Sequence, residues 1–515
     1  MRRLDIVMAF VVGGALAACT PTTSSTLTTS APLPSTTSSS TSTTAAISST
    51  TTTEAATAGG PGVGDRLFPT LGNGGYQVDL YDVAIEFDAE VHGIAGDATV
   101  TATADQDLSS FNFDFAGLEI DSLEVNGVPA EFETLGGELI VTPQAPLAEG
   151  DRFEMHVIYA GIPQVGGQGD FPSGWQRAPG VDYMMGEPVG ASAWMPVDDH
   201  PLKRAPFRVK VTVPDPMEAI MSGVGGATTS AGGRTTYEWD IPEATAPYLV
   251  ALAIGDFEST ESTGPDGLPI VVWSPVDFPS APLRAFESQG EMIAELSARF
   301  GPYPFDRYGA LIVDDPDQGA ALETQTMSTF ASGILDLGET VVVHELAHQW
   351  FGDSIALAQW EDIWLNEGFA TYAEWMWSEA QGGQPAYDQE VESTYMQVSG
   401  RFIVESGGSV QDAKDYASDA FPPPAVTTAE DLFNGGVYLR GGLTLAALRD
   451  LVGDDSFFAF IQEYVAEFRG SHTSTDSFLD LVGERLGDEA KSLVEEWIFD
   501  SALPPMPARE LEPLP

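Results

Sequence analysis

The stretch 341–374, VVVHELAHQWFGDSIALAQWEDIWLNEGFATYAE, limits what this chain can fold into more than any other. His344-Glu345-Leu346-Ala347-His348 is an H-E-x-x-H pattern inside an apolar run. Residues four apart share one face of an α-helix, so both imidazoles point the same way. Two neutral imidazoles so placed can share a zinc ion, with Glu345 placed to act as base on a metal-bound water. Zinc needs a third protein ligand and a fourth position for water. Glu367, in Trp364-Leu365-Asn366-Glu367-Gly368-Phe369-Ala370, is the candidate. The 18 residues 349–366 let one helix end near Gly352 and a second return. The bare pentapeptide also fits a surface helix with two solvated histidines. Its flanks, Val341, Val342, Val343, Trp350 and Phe351, predict burial instead. Buried histidines beside a buried glutamate need partners, and a metal supplies them.

Around this stretch the pattern is that of an α+β domain. Residues 281–300 predict an amphipathic helix, broken by Gly301-Pro302-Tyr303-Pro304-Phe305, and Ala310-Leu311-Ile312-Val313 predicts a short strand. Asp336 and Glu339, three apart, have capping-box spacing at the start of the histidine helix. Residues 360–380 predict the return helix, and further helix patterns run from Val437 through Leu451 and over 457–468, 475–486 and 490–499. Upstream, 76–255 alternates at period two, as in Val83, Ile85 and Phe87, or Phe207, Val209, Val211 and Val213. Alternation of this kind predicts half-buried strands. Asn126-Gly127 predicts a tight hairpin. The expected fold is α+β and multidomain. An antiparallel β domain (63–256) precedes a catalytic domain (257–505), and 506–515 is a Pro-rich tail.

The start of the chain predicts location. Met1-Arg2-Arg3 is basic, and 6–18 is mostly apolar, too short to span a membrane comfortably and the right size for a signal segment. It ends in Leu16-Ala17-Ala18-Cys19, which resembles a bacterial lipobox. Residues 1–18 are therefore expected to be a signal peptide. Cys19, the single cysteine, is the expected lipidation site, anchoring the protein to a bacterial membrane at the cell surface. One cysteine allows no internal disulfide. Residues 19–62, nearly all Ser, Thr, Pro and Ala up to about residue 60, read as an extended stalk. The formal net charge is −56, with lysines only at 203, 210, 414 and 491. No basic patch serves nucleic acid, and phosphate would be repelled.

Residues 70–505 resemble the zinc aminopeptidases of the aminopeptidase N and leukotriene hydrolase family, gluzincins with a thermolysin-like catalytic domain. His344, Glu345, His348 and Glu367 match its two-helix zinc signature, and WLNEGFATYAE is characteristic of it. The segment from Ala320 through Ala321 to Thr324 is similar to the family's G-A-M-E-N edge strand, with Ala320 for Gly, Leu322 for Met and Thr324 for Asn. The resemblance implies that this segment pairs with the peptide backbone and that Glu323 binds the free amino terminus. Glu187 is the positional candidate for a second amine-binding carboxylate. Tyr438, before Leu439-Arg440-Gly441, resembles the tyrosine that donates a hydrogen bond to the tetrahedral intermediate. Met195-Pro196 with Asp199 and Pro201 is similar to the family's F-P-x-x-D-x-P segment in the first domain.

The expected activity is zinc-dependent removal of N-terminal residues from peptides, with one zinc held by His344, His348 and Glu367 and Glu345 as base. Asn366 or Glu374 would orient the ligands. Full-length relatives carry a large C-terminal helical domain that roofs the site. With this sequence ending at Pro515, the cleft is expected to be more open. Two other readings stay open: a zinc hydrolase that cuts internal bonds or another substrate class, and an inactive surface binding protein.

Overall fold

Alternating burial is what makes the first half of the chain a set of sheets. In Tyr76–Asp88, Tyr81, Val83, Ile85 and Phe87 are buried while Asp82, Ala84, Glu86 and Asp88 are exposed. This computed structural model describes residues 55–168, 171–425 and 427–515, and residues 56–515 form one compact unit. The predicted signal segment, Cys19 and most of the stalk lie outside the described residues. Tyr76–Asp88 lies within an eight-stranded sheet, antiparallel to Gly93–Ala104 on one side. On its other side it runs parallel to Ala205–Pro214, which corrects the expectation of a wholly antiparallel domain. More than a hundred residues separate those two strands, so they are joined by a long crossover, and a hairpin does not dictate their direction. The Asn126-Gly127 hairpin is as expected. Val125 pairs with Val128, and both turn residues have positive φ, 53° and 73°. That is the type I′ geometry that matches strand twist.

The end of the predicted stalk is also corrected. Thr57–Ala58 forms a short parallel pair with Leu108–Asp114, and Gly59 donates to the Ser110 carbonyl at 2.8 Å.

The second half is built on a five-stranded sheet. Its order is Phe257–Thr263, Pro269–Pro275, Tyr308–Val313, Ser328–Ala331 and Ala321–Leu322. The last is an antiparallel edge strand. Helices Glu339–Ala347 and Trp364–Gly382, here the histidine and glutamate helices, pack on each other, and the histidine helix contacts the edge strand. Val341, Val342, Val343, Leu346 and Ala347 are all buried, so the histidine helix is apolar nearly all round and survives by packing. Phe351 stacks on Phe369 with centroids 4.0 Å apart, joining the two helices at the core. The predicted helix over 281–300 is instead three pieces, regular only over Gln289–Phe300.

Two boundaries differ from expectation. Asp336 lies in the 3-10 turn Ser332–Leu337 and does not cap the histidine helix, whose N-cap is Gly338 at φ 63°. Glu339 is drawn elsewhere: its carboxylate accepts from Ser288 Oγ at 2.6 Å and Trp377 Nε1 at 3.0 Å. The histidine helix also ends before Gly352, at Ala347 with His348 as its C-cap, and Gly352 (φ 127°) lies in the turn that follows. The 506–515 segment is docked. Arg509 bonds Asp450 and Asp388, and Arg401 donates to the Glu512 carbonyl.

Close backbone contact fixes the glutamate helix. A Cβ on Gly368 would lie 2.9 Å from the Gly441 carbonyl carbon, at the start of the helix Gly441–Val452. Gly368→Ala is expected to destabilise the protein by about 1–3 kcal/mol through overpacking. It should also weaken zinc binding, since Gly368 adjoins Glu367. Chemical denaturation with zinc titration checks both effects.

Candidate active site

One turn of helix separates His344 from His348, and the glutamate helix presents Glu367 to both. Glu367 Oε2 lies 3.2 Å from His344 Nε2 and 3.5 Å from His348 Nε2. Tetrahedral zinc with ligands at about 2.0–2.1 Å puts neighbouring ligand atoms about 3.3 Å apart. The donor set therefore fits zinc in both chemistry and spacing. The outer ring nitrogens are committed elsewhere, which aims Nε2 inward. His344 Nδ1 is 2.7 Å from Glu374 Oε1, and His348 Nδ1 is 3.0 Å from the Phe351 carbonyl. Glu374 is thus the orienting residue. Asn366 is not; it packs against Gly352, and its Nδ2 has no hydrogen-bond partner. Glu374→Ala is expected to lower zinc affinity about 10- to 100-fold, read by competition with a chelator.

The electrostatics follow from burying several carboxylates around two imidazoles. Burial alone would raise the Glu367 carboxyl, but His348 and His344 outweigh it and hold it at about 2. Burial lowers the His348 imidazole, yet Glu323 and Glu367 bring it up to about 9. Burial pushes the Glu345 carboxyl up to about 8 against the lowering pull of the two histidines. Glu345, Glu323 and His348 present atoms within 4.8 Å of one another. The base and the predicted amine-binding glutamate thus converge beside the zinc donors.

Glu323 and Glu187 are 2 % exposed each, and Oε1 of each has no hydrogen-bond partner. Burial, then the Glu323 and Glu367 carboxylates, hold Glu187 well above its ordinary range. Its approach depends on Gly186, where a Cβ would fall 2.2 Å from the Tyr248 carbonyl oxygen. Unpaired buried carboxylate oxygens are costly, and a bound cation satisfies them. Tyr438 sits in a wide π-type turn, Gly436–Arg440, its ring 6.0 Å from that of His344 and inclined by 24°. Arg440 anchors that turn by donating to the Trp497 carbonyl at 2.7 Å. Ala321 lies on the edge strand, and the Ala320 carbonyl accepts from Ala331 N at 3.1 Å.

The Peptidase family M1 domain matches residues 284–497, and the Peptidase M1 N-terminal domain matches residues 77–249. The chain belongs to peptidase family M1. Among solved structures it is similar to an M1 zinc metallopeptidase variant from Deinococcus radiodurans bound to a Tyr-Ser-Ala substrate. The TM-score is 0.78 at 32% identity, covering 87% of this chain and 99% of that one. Mouse (Mus musculus) aminopeptidase B is 28% identical over 71% of this chain and 55% of its own length. A probable aminopeptidase 1 from Sulfurisphaera tokodaii is 24% identical over 83% of this chain and 53% of its own length. The chain thus spans about half the length of these curated relatives. The M1 fold is the two-domain arrangement described above, a β-rich domain followed by an α+β peptidase domain.

Within this M1 site, His344, Glu345, His348, Glu367, Glu323, Glu187 and Tyr438 come together, while Asn366 makes no bond to the ligands and the segment from Met195 to Pro201 belongs to the first domain, Met195 in its core. Asp199 builds the first domain instead: its backbone N–H donates to Asp114 Oδ2 at 2.7 Å, and its carboxylate accepts from Ser192 N. Three neighbours escaped the sequence reading. Asp353 is fully buried with neither carboxylate oxygen hydrogen-bonded, and burial, then Glu323, push it well up. The Tyr248 hydroxyl is likewise buried and unpaired. Gln349 bridges the histidine helix to the Glu323 segment. A polar residue in an apolar run was the available signal for Asp353 and Gln349; nothing local marks Tyr248.

Proposed function

We propose that this chain is a zinc aminopeptidase that removes N-terminal residues from peptides with a free amino terminus. The observation carrying this reading is the pair Glu323 and Glu187, buried with unpaired oxygens beside a complete zinc donor set. A substrate ammonium between those carboxylates fixes the scissile bond one residue in. The free edge of Ala321–Leu322 is available to the substrate backbone, since among the described strands it pairs only with Ser328–Ala331. His344, His348 and Glu367 would hold zinc, which would supply a Lewis acid for the scissile carbonyl and for water. Glu345 takes the proton of the attacking water and delivers it to the leaving amine. Tyr438 donates to the developing oxyanion, a contribution of about 3 kcal/mol for a well-placed donor.

A panel of aminoacyl fluorogenic amides and their N-acetyl counterparts tests the reading. Turnover of the free amides, lost on adding a chelator, is expected. Turnover of acetylated substrates at equal rates would sink it in favour of cleavage at internal bonds.

The proposal extends to location and boundaries. Met1-Arg2-Arg3, the apolar run and Leu16-Ala17-Ala18-Cys19 support a lipoprotein anchored through Cys19 outside a bacterial membrane. Cys19→Ser is expected to move the protein from the membrane to the soluble fraction; unchanged membrane retention would refute the anchor. A domain boundary at 256/257 is supported by Phe257–Thr263, the first strand of the second-half sheet.

A further inference from the structure

We infer that Gln349 is a positioning residue that sets the distance between the zinc donors and the amine-binding carboxylate, and so sets selectivity for a free amino terminus. The inference rests on the aminopeptidase reading above. Gln349 directly follows the ligand His348 and is completely buried. Both ends of its amide are used, and both go to the segment carrying Glu323. Nε2 donates to the Glu323 carbonyl at 2.9 Å, and Oε1 accepts from Thr326 N at 2.8 Å. The Tyr303 hydroxyl lies 3.4 Å from the same Oε1, with its proton given at 3.0 Å to the Arg307 carbonyl. One side chain therefore fixes the backbone on both sides of the turn 323–326 relative to the histidine helix.

That turn needs fixing. Thr326 has φ 68°, a left-handed conformation that a β-branched residue adopts rarely. Its other supports come from the first domain. Gln325 N donates to the Leu249 carbonyl at 2.9 Å, Gln325 Nε2 to Thr245 Oγ1 at 2.6 Å, and Gly223 N to Thr326 Oγ1 at 3.3 Å. Those bonds hold the turn against the first domain. Toward the histidines, the next strand adds only a long contact, Ser328 Oγ donating to the Glu345 carbonyl at 3.4 Å, and the turn itself is held by Gln349. Thr324 adds nothing across the gap, since its hydroxyl bonds Met327 and Thr329 within the same segment. Without the amide bridge, Glu323 keeps its burial and loses its fixed place relative to His348. A displacement of about 1 Å at such a site can cost about a hundredfold in rate.

The test compares the full chain with Gln349→Met and Gln349→Glu. Met keeps volume and removes both bonds. Glu keeps an acceptor for Thr326 N and removes the donor to Glu323. Each protein is assayed for zinc content, for kcat and KM on a leucyl fluorogenic amide, and for inhibition by L-leucine hydroxamate and its des-amino analogue. Both inhibitors reach the metal, and only one carries the amine. The ratio of their inhibition constants is expected to fall about tenfold or more in Gln349→Met, with zinc retained and the loss in kcat/KM carried mainly by KM. Gln349→Glu should fall in the same direction and decides the matter if the Met variant does not fold. A wild-type ratio retained by a zinc-loaded variant would overturn the inference. A wild-type enzyme that shows no preference for the amine-bearing inhibitor would instead remove the aminopeptidase reading, and the inference with it.

Discussion

Glu345→Gln should lower kcat by about 10²–10⁴-fold while the protein keeps its zinc. Glutamine matches the shape of glutamate and cannot accept a proton in the working pH range. The metal should stay because its donors are His344, His348 and Glu367, whose atoms lie close together without Glu345. Burial and the two histidines set the Glu345 carboxyl near the range a base needs at neutral pH, and bound zinc would lower it further. Steady-state kinetics with metal analysis on the same preparation checks the prediction. A variant that keeps more than about a tenth of wild-type kcat would remove Glu345 from the base role.

Removing zinc should abolish turnover and destabilise the fold in a pH-dependent way. A metal held at about a thousandfold above its Kd stabilises by about 4 kcal/mol. In the metal-free chain, His348 is raised from 6.5 to about 9 and Glu345 from 4.5 to about 8. Between each pair of values the folded state binds more protons than the unfolded one, so stability falls as pH rises. The His348 contribution is complete below pH 6.5 and lost as pH passes about 9. The cost of ionising buried Glu345 is absent below pH 4.5 and complete above about 8. Glu367, held at about 2 against 4.5, contributes fully above pH 4.5 and adds no slope at higher pH. Zinc binding runs the other way, because its ligands must be deprotonated. The difference in Tm between zinc-loaded and stripped protein should therefore widen from about pH 6 to about pH 9. A difference that narrows over that range would contradict the assigned ligands.

Much of this site was legible because its chemistry is local in sequence. Helical spacing puts His344 and His348 on one face whatever surrounds them, and Glu367 needs only one turn and one helix return. The strands of the first domain were legible for the same reason, since period-two burial is a local signal. What escaped depends on contacts across long loops. The parallel pairing of Tyr76–Asp88 with Ala205–Pro214 is set by packing across more than a hundred residues. Glu339 left its predicted capping role because Ser288 and Trp377, remote in sequence, offer it better partners. Asn366 and Glu374 were both candidates to orient the ligands. The 2.7 Å bond of Glu374 to His344 Nδ1 separates them, and seven residues after Glu367 on the same helix Glu374 shares its face.

The contact between Gly368 and Gly441 has a bearing on which changes the site can absorb. Gly368 follows Glu367 by one residue, and Gly441 follows Tyr438 by three. The two backbones that carry these side chains are thus gauged main chain against main chain, with no side chain between them. Residues elsewhere in the cleft can be exchanged without moving that gauge, so a new lining reshapes the cleft and leaves the spacing of these two backbones where it was.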